Sequence, residues 1–261
     1  MSLSLRAACD TGAVGDATFA RAADWHGMMM TLIVVAVVSG ALLAGAVWGI
    51  YFRLGRKTEG FLVALAGGAL LLSLVSELIE PSIERSSVML AMLGVLAGAV
   101  TFTGIDYLID EKWGEDGGGG LLAAITLDGV PENLALGVAL IGASPLEVAA
   151  LAGSILLSNL PEAAGGARAM ADGGRSKGKI MLLWAATAGL LSAAAIIGNV
   201  ALAGVSEHWL AVIRCFAAGA VVASLATEVF PKAYREDHHL AGIATALGVV
   251  LAFGLGSLAG G

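Results

Sequence analysis

The chain has 261 residues, is 58% hydrophobic and only 13% charged, and has a mean hydropathy of +0.88. No ordinary soluble domain carries that balance. The net charge of -7 and the lack of any basic run give nucleic acid no footing as a partner.

Residues 1–26 are mixed and polar-flecked (Arg6, Asp10, Asp16, Arg21, Asp24). They lack the apolar stretch of a signal peptide and are read as an extracytoplasmic N-terminal segment. The remainder, 27–261, reads as one membrane domain. A spanning helix needs about 20 mostly apolar residues. Eight segments meet that need, roughly 27–52, 59–80, 87–109, 119–142, 146–169, 180–204, 209–231 and 239–259. The breaks between them carry the charges, at Arg53–Lys57, Glu80–Arg85, Asp110–Asp116, Ser144–Glu147, Arg168–Lys179, Glu207–His208 and Lys232–His239. The expected fold class is therefore an all-α integral membrane protein with eight transmembrane helices. The two cysteines, Cys9 and Cys215, lie far apart and form no metal or redox motif.

Lys and Arg set the expected orientation. The loops after spans 1, 3, 5 and 7 hold Arg53, Arg56, Lys57, Lys112, Arg168, Arg175, Lys177, Lys179, Lys232 and Arg235; the other side has Arg6, Arg21, Arg85 and Arg214. That bias puts the odd-numbered loops in the cytoplasm and both termini outside, in a multi-pass protein of the cell membrane. Most of the 37 glycines suit close helix packing in lipid.

Residues 68–78 (GALLLSLVSEL) and 219–229 (GAVVASLATEV) share Gly, Ala, Ser, Leu and Glu in register, at an offset of 151; LGV at 93–95 recurs at 247–249, an offset of 154. Spans 2 and 3 thus resemble spans 7 and 8. Partners are offset by five spans, an odd number, so the two units face opposite ways. This is the inverted-repeat plan of secondary transporters, whose substrate site lies near the midplane. Repeat 1 covers about 27–109, the central spans 119–169, and repeat 2 about 180–259, a three-two-three order.

The central spans hold LDGVPE at 127–132 and LSNLPE at 157–162. Asp128 and Glu132 are four residues apart and share one helix face, as do Ser158 and Glu162. Pro131 and Pro161 each precede the glutamate, and each lacks an N–H and clashes with the carbonyl four residues earlier, here Leu127 and Leu157. A break there is tolerated where the freed groups line a wet cavity. Two kinked helices would then offer Asp128, Glu132, Ser158, Asn159 and Glu162 to one point. Carboxylates left in hydrocarbon cost about 2.5–3.5 kcal/mol each at the membrane centre, so a cation or protons must relieve them. A cation held by oxygen ligands is the direct solution.

The paired D-G-V-P-E-N and S-N-L-P-E-A segments resemble those of the ZIP family of divalent-metal transporters, and the likeness runs from about residue 28 to the end. The resemblance implies eight spans, both termini outside and a three-two-three inverted bundle. It also implies a substrate of the zinc, iron or manganese class, movement toward the cytoplasm, and pairing into a homodimer. Carried over by position, the family's span-4 histidine ligand falls on Asp128 and its glutamate on Glu132. Its span-5 ligands fall on Ser158 and Glu162. Its second metal position would use Gly129, Asn159 and a span-6 glutamate, but Gly129 has no side chain and Ser192 stands where that glutamate should be. A single metal is the expectation, and ligands without imidazole shift preference toward harder ions, although Zn²⁺ also accepts carboxylate.

Glu77, toward the outer end of span 2, and its repeat partner Glu228, toward the inner end of span 7, are the expected arrival and departure stations. Glu80 would assist outside and Asp106 inside. The loop DEKWGEDGGGG at 110–120 reads as a solvated linker. His238 and His239, at the start of span 8, read as a solvated pair that could receive metal, and His26 and His208 as interfacial. Arg214 is expected to reach outward or to pair with an acid such as Glu207. No phosphate-binding loop, H-E-x-x-H or G-x-S-x-G occurs, so neither nucleotide-driven transport nor hydrolysis is expected, and the chain is not read as an enzyme. The expected function is transport of divalent cations by alternating access through one carboxylate-rich site. The lost second site motivates an alternative, a non-transporting relative that senses metal or acts as a scaffold.

Overall fold

The computed structural model describes residues 4–52, 55–113, 118–143 and 148–259; for 4–27, 109–113, 118–125, 127, 128, 258 and 259 it describes the backbone alone. Among the described residues there is helix and turn and no strand. The helices are α1 (Ser4–Tyr51), α2 (Arg56–Arg85), α3 (Val88–Trp113), α4 (Gly118–Ala139), α5 (Ala149–Asp172), α6 (Lys177–Leu202), α7 (Glu207–Glu236) and α8 (Ala241–Ala259). Five stretches are long and apolar enough to cross a membrane: Met28–Tyr51, Arg56–Arg85, Val88–Leu108, Lys177–Leu202 and Glu207–Glu236. The apolar part of α8, Ala241–Ser257, is shorter, and α4 and α5 carry the acids that set them apart.

Two local expectations change. The break placed at Glu80–Arg85 is helix: α2 runs on through Pro81 to Arg85. And α4 and α5 continue as α-helix through Pro131 and Pro161, whereas the irregular turns lie elsewhere. Val75–Ile79 in α2 and Leu225–Val229 in α7 are π-helical turns. Each ends just before a proline, Pro81 or Pro231. Widening the turn ahead of a proline moves the obstructed carbonyl off the ring, and such turns gather at functional positions. Glu77 and Glu228 sit on them.

The helices sort into two groups by their packing. α1, α4, α5 and α6 pack on one another, as do α2, α3, α7 and α8; the groups meet mainly along α2–α5 and α4–α7. The glycines show how tightly each group is joined. A Cβ on Gly45 or Gly49 of α1 would run into the backbone of α5 at Leu160 or Ala164, and one on Gly137 or Gly198 would do so between α4 and α6. In the other group Gly68 faces Thr245 O and Gly248 faces Leu65 O, while Gly219 faces Val95 O and Gly98 faces Phe216 O. Glycine at these crossings lets backbones touch. Between the groups, the close glycine approach is of another kind: Gly165 of α5 lies against the Glu59 carboxylate, a side chain.

The reciprocal crossings match Gly68 with Gly219 and Leu65 with Phe216 at an offset of 151, and Val95 with Thr245 and Gly98 with Gly248 at an offset of 150. The LGV match at 154 is therefore one helical turn out of step with the packing.

Candidate cation site

Two of the acids expected to converge, Glu132 and Glu162, are linked through Ser158, which bonds the first and lines a cavity with the second. Glu132 of α4 is 7% exposed, and the Ser158 hydroxyl of α5 donates to its Oε1 at 3.3 Å. This bond joins the two P-E segments directly. Ser158 also donates to Ile155 O at 3.0 Å, a turn-internal bond that orients its side chain. Ser158 and the half-buried Glu162 then line a cavity of ≈ 570 Å³, together with Glu59, Glu228, Lys232 and Arg56. Glu132 and Glu162 lie near enough to act on each other electrostatically, and Glu228 and Lys232 act likewise on Glu162.

A second cavity, of ≈ 920 Å³, opens at the other end. Glu77, Ser73, Ser76, Arg85, Glu207 and Arg214 are among its lining residues. The two lie at opposite ends because α2 runs from Arg56 in the smaller to Arg85 in the larger, and α7 runs from Glu207 back to Glu236. Between them lies an apolar plug containing Leu70, Leu74, Leu136, Leu151, Ile155, Val221 and Leu225. The order is seen along α5 and α7. On α5, Ala150 lines the large cavity, Leu151 and Ile155 belong to the plug, and Ser158 and Glu162 line the small cavity. Thus the carboxylate site communicates with the small cavity and is sealed from the large one.

Other expected residues have different partners. The Asn159 amide donates to Val38 O of α1 at 3.1 Å and is 2% exposed, so it ties α5 to α1. The Asp128 side chain lies outside the described residues, and so do His26 and the 114–117 part of the glycine-rich loop. Among the described residues no three His, Cys, Asp or Glu side chains form a group that could hold a metal ion. Ser192 bonds Ser39 of α1 at 2.6 Å and Ala188 O at 2.7 Å, while Gly129 packs on Leu191. Ser192 is therefore tied to α1 by a serine pair. Glu80 and Asp106 line neither cavity. His238 and His239 stack at 3.9 Å, outside both cavities.

Two contacts at the large cavity were not legible as pairs of side chains. Glu77 Oε1 accepts the Leu151 N–H at 3.0 Å, in the first turn of α5, where free N–H groups and the helix dipole favour an anion. Its Oε2 is buried without a partner. Arg214 neither reaches outward nor pairs with Glu207, which instead meets Arg85 at 3.2 Å. It is 5% exposed, and its Nη2 donates to Val138 O and Ile141 O at 3.4 Å each, at the C-terminal end of α4 where unpaired carbonyls favour a cation. α2 and α7 thus hold the ends of α5 and α4 with charges of opposite sign. Arg214→Met is expected to lower stability by about 1–3 kcal/mol through the loss of its bonds to the α4 terminus, where Val138 O keeps the Ile141 N–H as a partner but Ile141 O loses its guanidinium donor, seen as a lower melting temperature in detergent.

Neither protein-family models nor curated proteins provide a match for this chain.

Proposed function

We propose that the chain is a ZIP-like multi-pass transporter of divalent cations, of the zinc, iron or manganese class. It has eight spans in a three-two-three inverted arrangement, and it works through a single oxygen-ligand site at Glu132, Ser158 and Glu162, with Asp128 as a further ligand. The observation that carries this reading is the sequence of two charged cavities with an apolar plug between them and, on one side of the plug, a buried Glu132 bonded to Ser158 beside a half-buried Glu162. Alternating access requires that arrangement: a binding site open to one side and closed to the other. The matched glycine crossings support the inverted arrangement. The grouping of helices supports a motion in which α1, α4, α5 and α6 slide as one body past the rest, since backbone-to-backbone glycine contacts join helices inside each group.

With the Lys and Arg bias setting the orientation, the small cavity faces the cytoplasm and the large one the outside. Glu77 then stands at the outer vestibule and Glu228 in the inner one. A cation entering from outside displaces the Leu151 N–H from Glu77, passes the plug when the groups shift, and is held by the carboxylates until the small cavity opens. Import follows from the family resemblance. The concentration gradient of the ion supplies the drive.

The non-transporting alternative draws on the serine pair at Ser39 and Ser192 and on the absence, among the described residues, of a group of three metal-ligating side chains. Uptake into proteoliposomes from a panel of Mn²⁺, Fe²⁺, Zn²⁺, Cd²⁺ and Mg²⁺ separates the two readings. Saturable uptake of at least one ion is expected. No uptake of any ion by folded, inserted protein would leave the sensor or scaffold reading in its place. For the ion carried, Ser158→Ala is expected to raise KM about three- to tenfold, in keeping with the loss of one ordinary hydrogen-bonding contact.

A further inference from the structure

The small cavity contains a cation of the protein's own. Of its three basic side chains, Arg56 is 79% exposed and bonds Glu236 at 2.7 Å on the rim. Arg235 is exposed as well. Lys232 is 36% exposed, and its Nζ lies 3.3 Å from Glu59 Oε1. The Glu59 carboxylate is itself seated on the bare backbone of Gly165, three residues beyond Glu162 on α5. Lys232 also stands four residues after Glu228 on α7, one turn away on the same face. The ammonium therefore sits among Glu59, Glu162 and Glu228, in the cavity into which the binding site opens.

Lysine suits this place. It is a compact charge on a flexible four-carbon stem, able to move between neighbouring carboxylates without the fixed fork of arginine. A divalent cation held by Glu132 and Glu162 meets this ammonium as soon as the site faces the small cavity. Like charges repel, and the carboxylates have a second positive partner available.

We propose that Lys232 is a release residue: its ammonium competes with the transported cation for Glu162 and Glu228, and so weakens the hold of the site on its ion once that site faces the small cavity. The proposal rests on the cation-transport reading and adds to it a determinant of affinity on the releasing side. The lysine is carried by α7 and the site by α4 and α5, so the competition is felt only when the two groups stand as they do here. Release is thereby tied to the conformation.

The test uses purified full-length protein. Equilibrium binding of Zn²⁺ and Mn²⁺ is measured for wild type, Lys232→Gln and Lys232→Arg, alongside melting temperature and uptake into proteoliposomes. For Lys232→Gln, affinity is expected to rise at least tenfold, with KM and maximal uptake rate both falling because the ion leaves slowly. For Lys232→Arg, which keeps the charge, affinity should stay within about threefold of wild type. A Lys232→Gln protein that melts normally and binds no more tightly than wild type overturns the proposal while leaving cation transport standing. Equal tightening in Lys232→Arg also overturns it, because the effect would then come from shape and not from charge. A wild type that neither binds nor carries either ion removes the transport reading, and this proposal with it.

Discussion

Glu132→Ala/Glu162→Ala is expected to reduce cation uptake by at least about a hundredfold, since even residues that only support a ligand change metal affinity 10–100-fold when lost. The fold should survive. Glu132 is 7% exposed, and among the described residues its hydrogen-bond partner is the Ser158 hydroxyl at 3.3 Å, a long bond. A carboxylate held this deep is costly to desolvate, and among the described residues nothing basic acts on Glu132 to offset the cost. Removing the pair therefore leaves the melting temperature of the ion-free protein unchanged or higher. If the glutamates served only as interhelical hydrogen-bonding groups, the result would be reversed, with lower melting temperature and uptake unaffected in the protein that still folds. Measuring uptake and melting on one preparation separates the two.

Gly219→Leu is expected to bring the largest loss of stability. Gly219 faces Val95 O, and its reciprocal partner Gly98 faces Phe216 O, so α3 and α7 touch backbone to backbone at both ends of one crossing. A leucine side chain meets a carbonyl that cannot rotate away, and overpacking of this kind costs about 1–3 kcal/mol, with more where the backbone itself must move. Gly98→Leu should match it. Gly104→Leu, one to two turns along α3 with open space around its Cα, should leave melting temperature and detergent-solubilised yield near wild type. Equal losses at Gly98 and Gly104 would mean that the crossing is not as tight as described.

What could be read from the residues followed the physics of single helices. Charges are expelled from lipid, so Arg53–Lys57 or Arg168–Lys179 mark helix ends plainly, and two P-E pairs in apolar text single out α4 and α5. The contact between Glu132 and Ser158 follows from that reading. The misreadings share one cause: they needed the partner helix. Pro131 and Pro161 were expected to break their helices, yet the irregular turns formed ahead of Pro81 and Pro231, where the next turn is also crossed by a neighbour. Small apolar residues recur every turn, so LGV could be matched one turn away from the register that Gly98 and Gly248 adopt. Side-chain lists propose side-chain partners, so Arg214 was set against Glu207, although a carbonyl pair claims it in this state.

The short apolar plug also has an electrical meaning. Cavities of ≈ 920 and ≈ 570 Å³ with charged walls bring solvent deep into the bundle from both ends. Membrane voltage then drops mainly across the insulating layer at Leu74, Leu136, Ile155 and Leu225, a small part of the roughly 30 Å hydrocarbon thickness. A net charge crossing it experiences nearly the full field, about 2.3 kcal/mol per 100 mV for each elementary charge. In the proposed transport cycle a divalent ion cancels two of the charges of the carboxylates that hold it, so the loaded site feels the field less than the empty one. The voltage dependence of such a cycle would then fall chiefly on the return of the empty site.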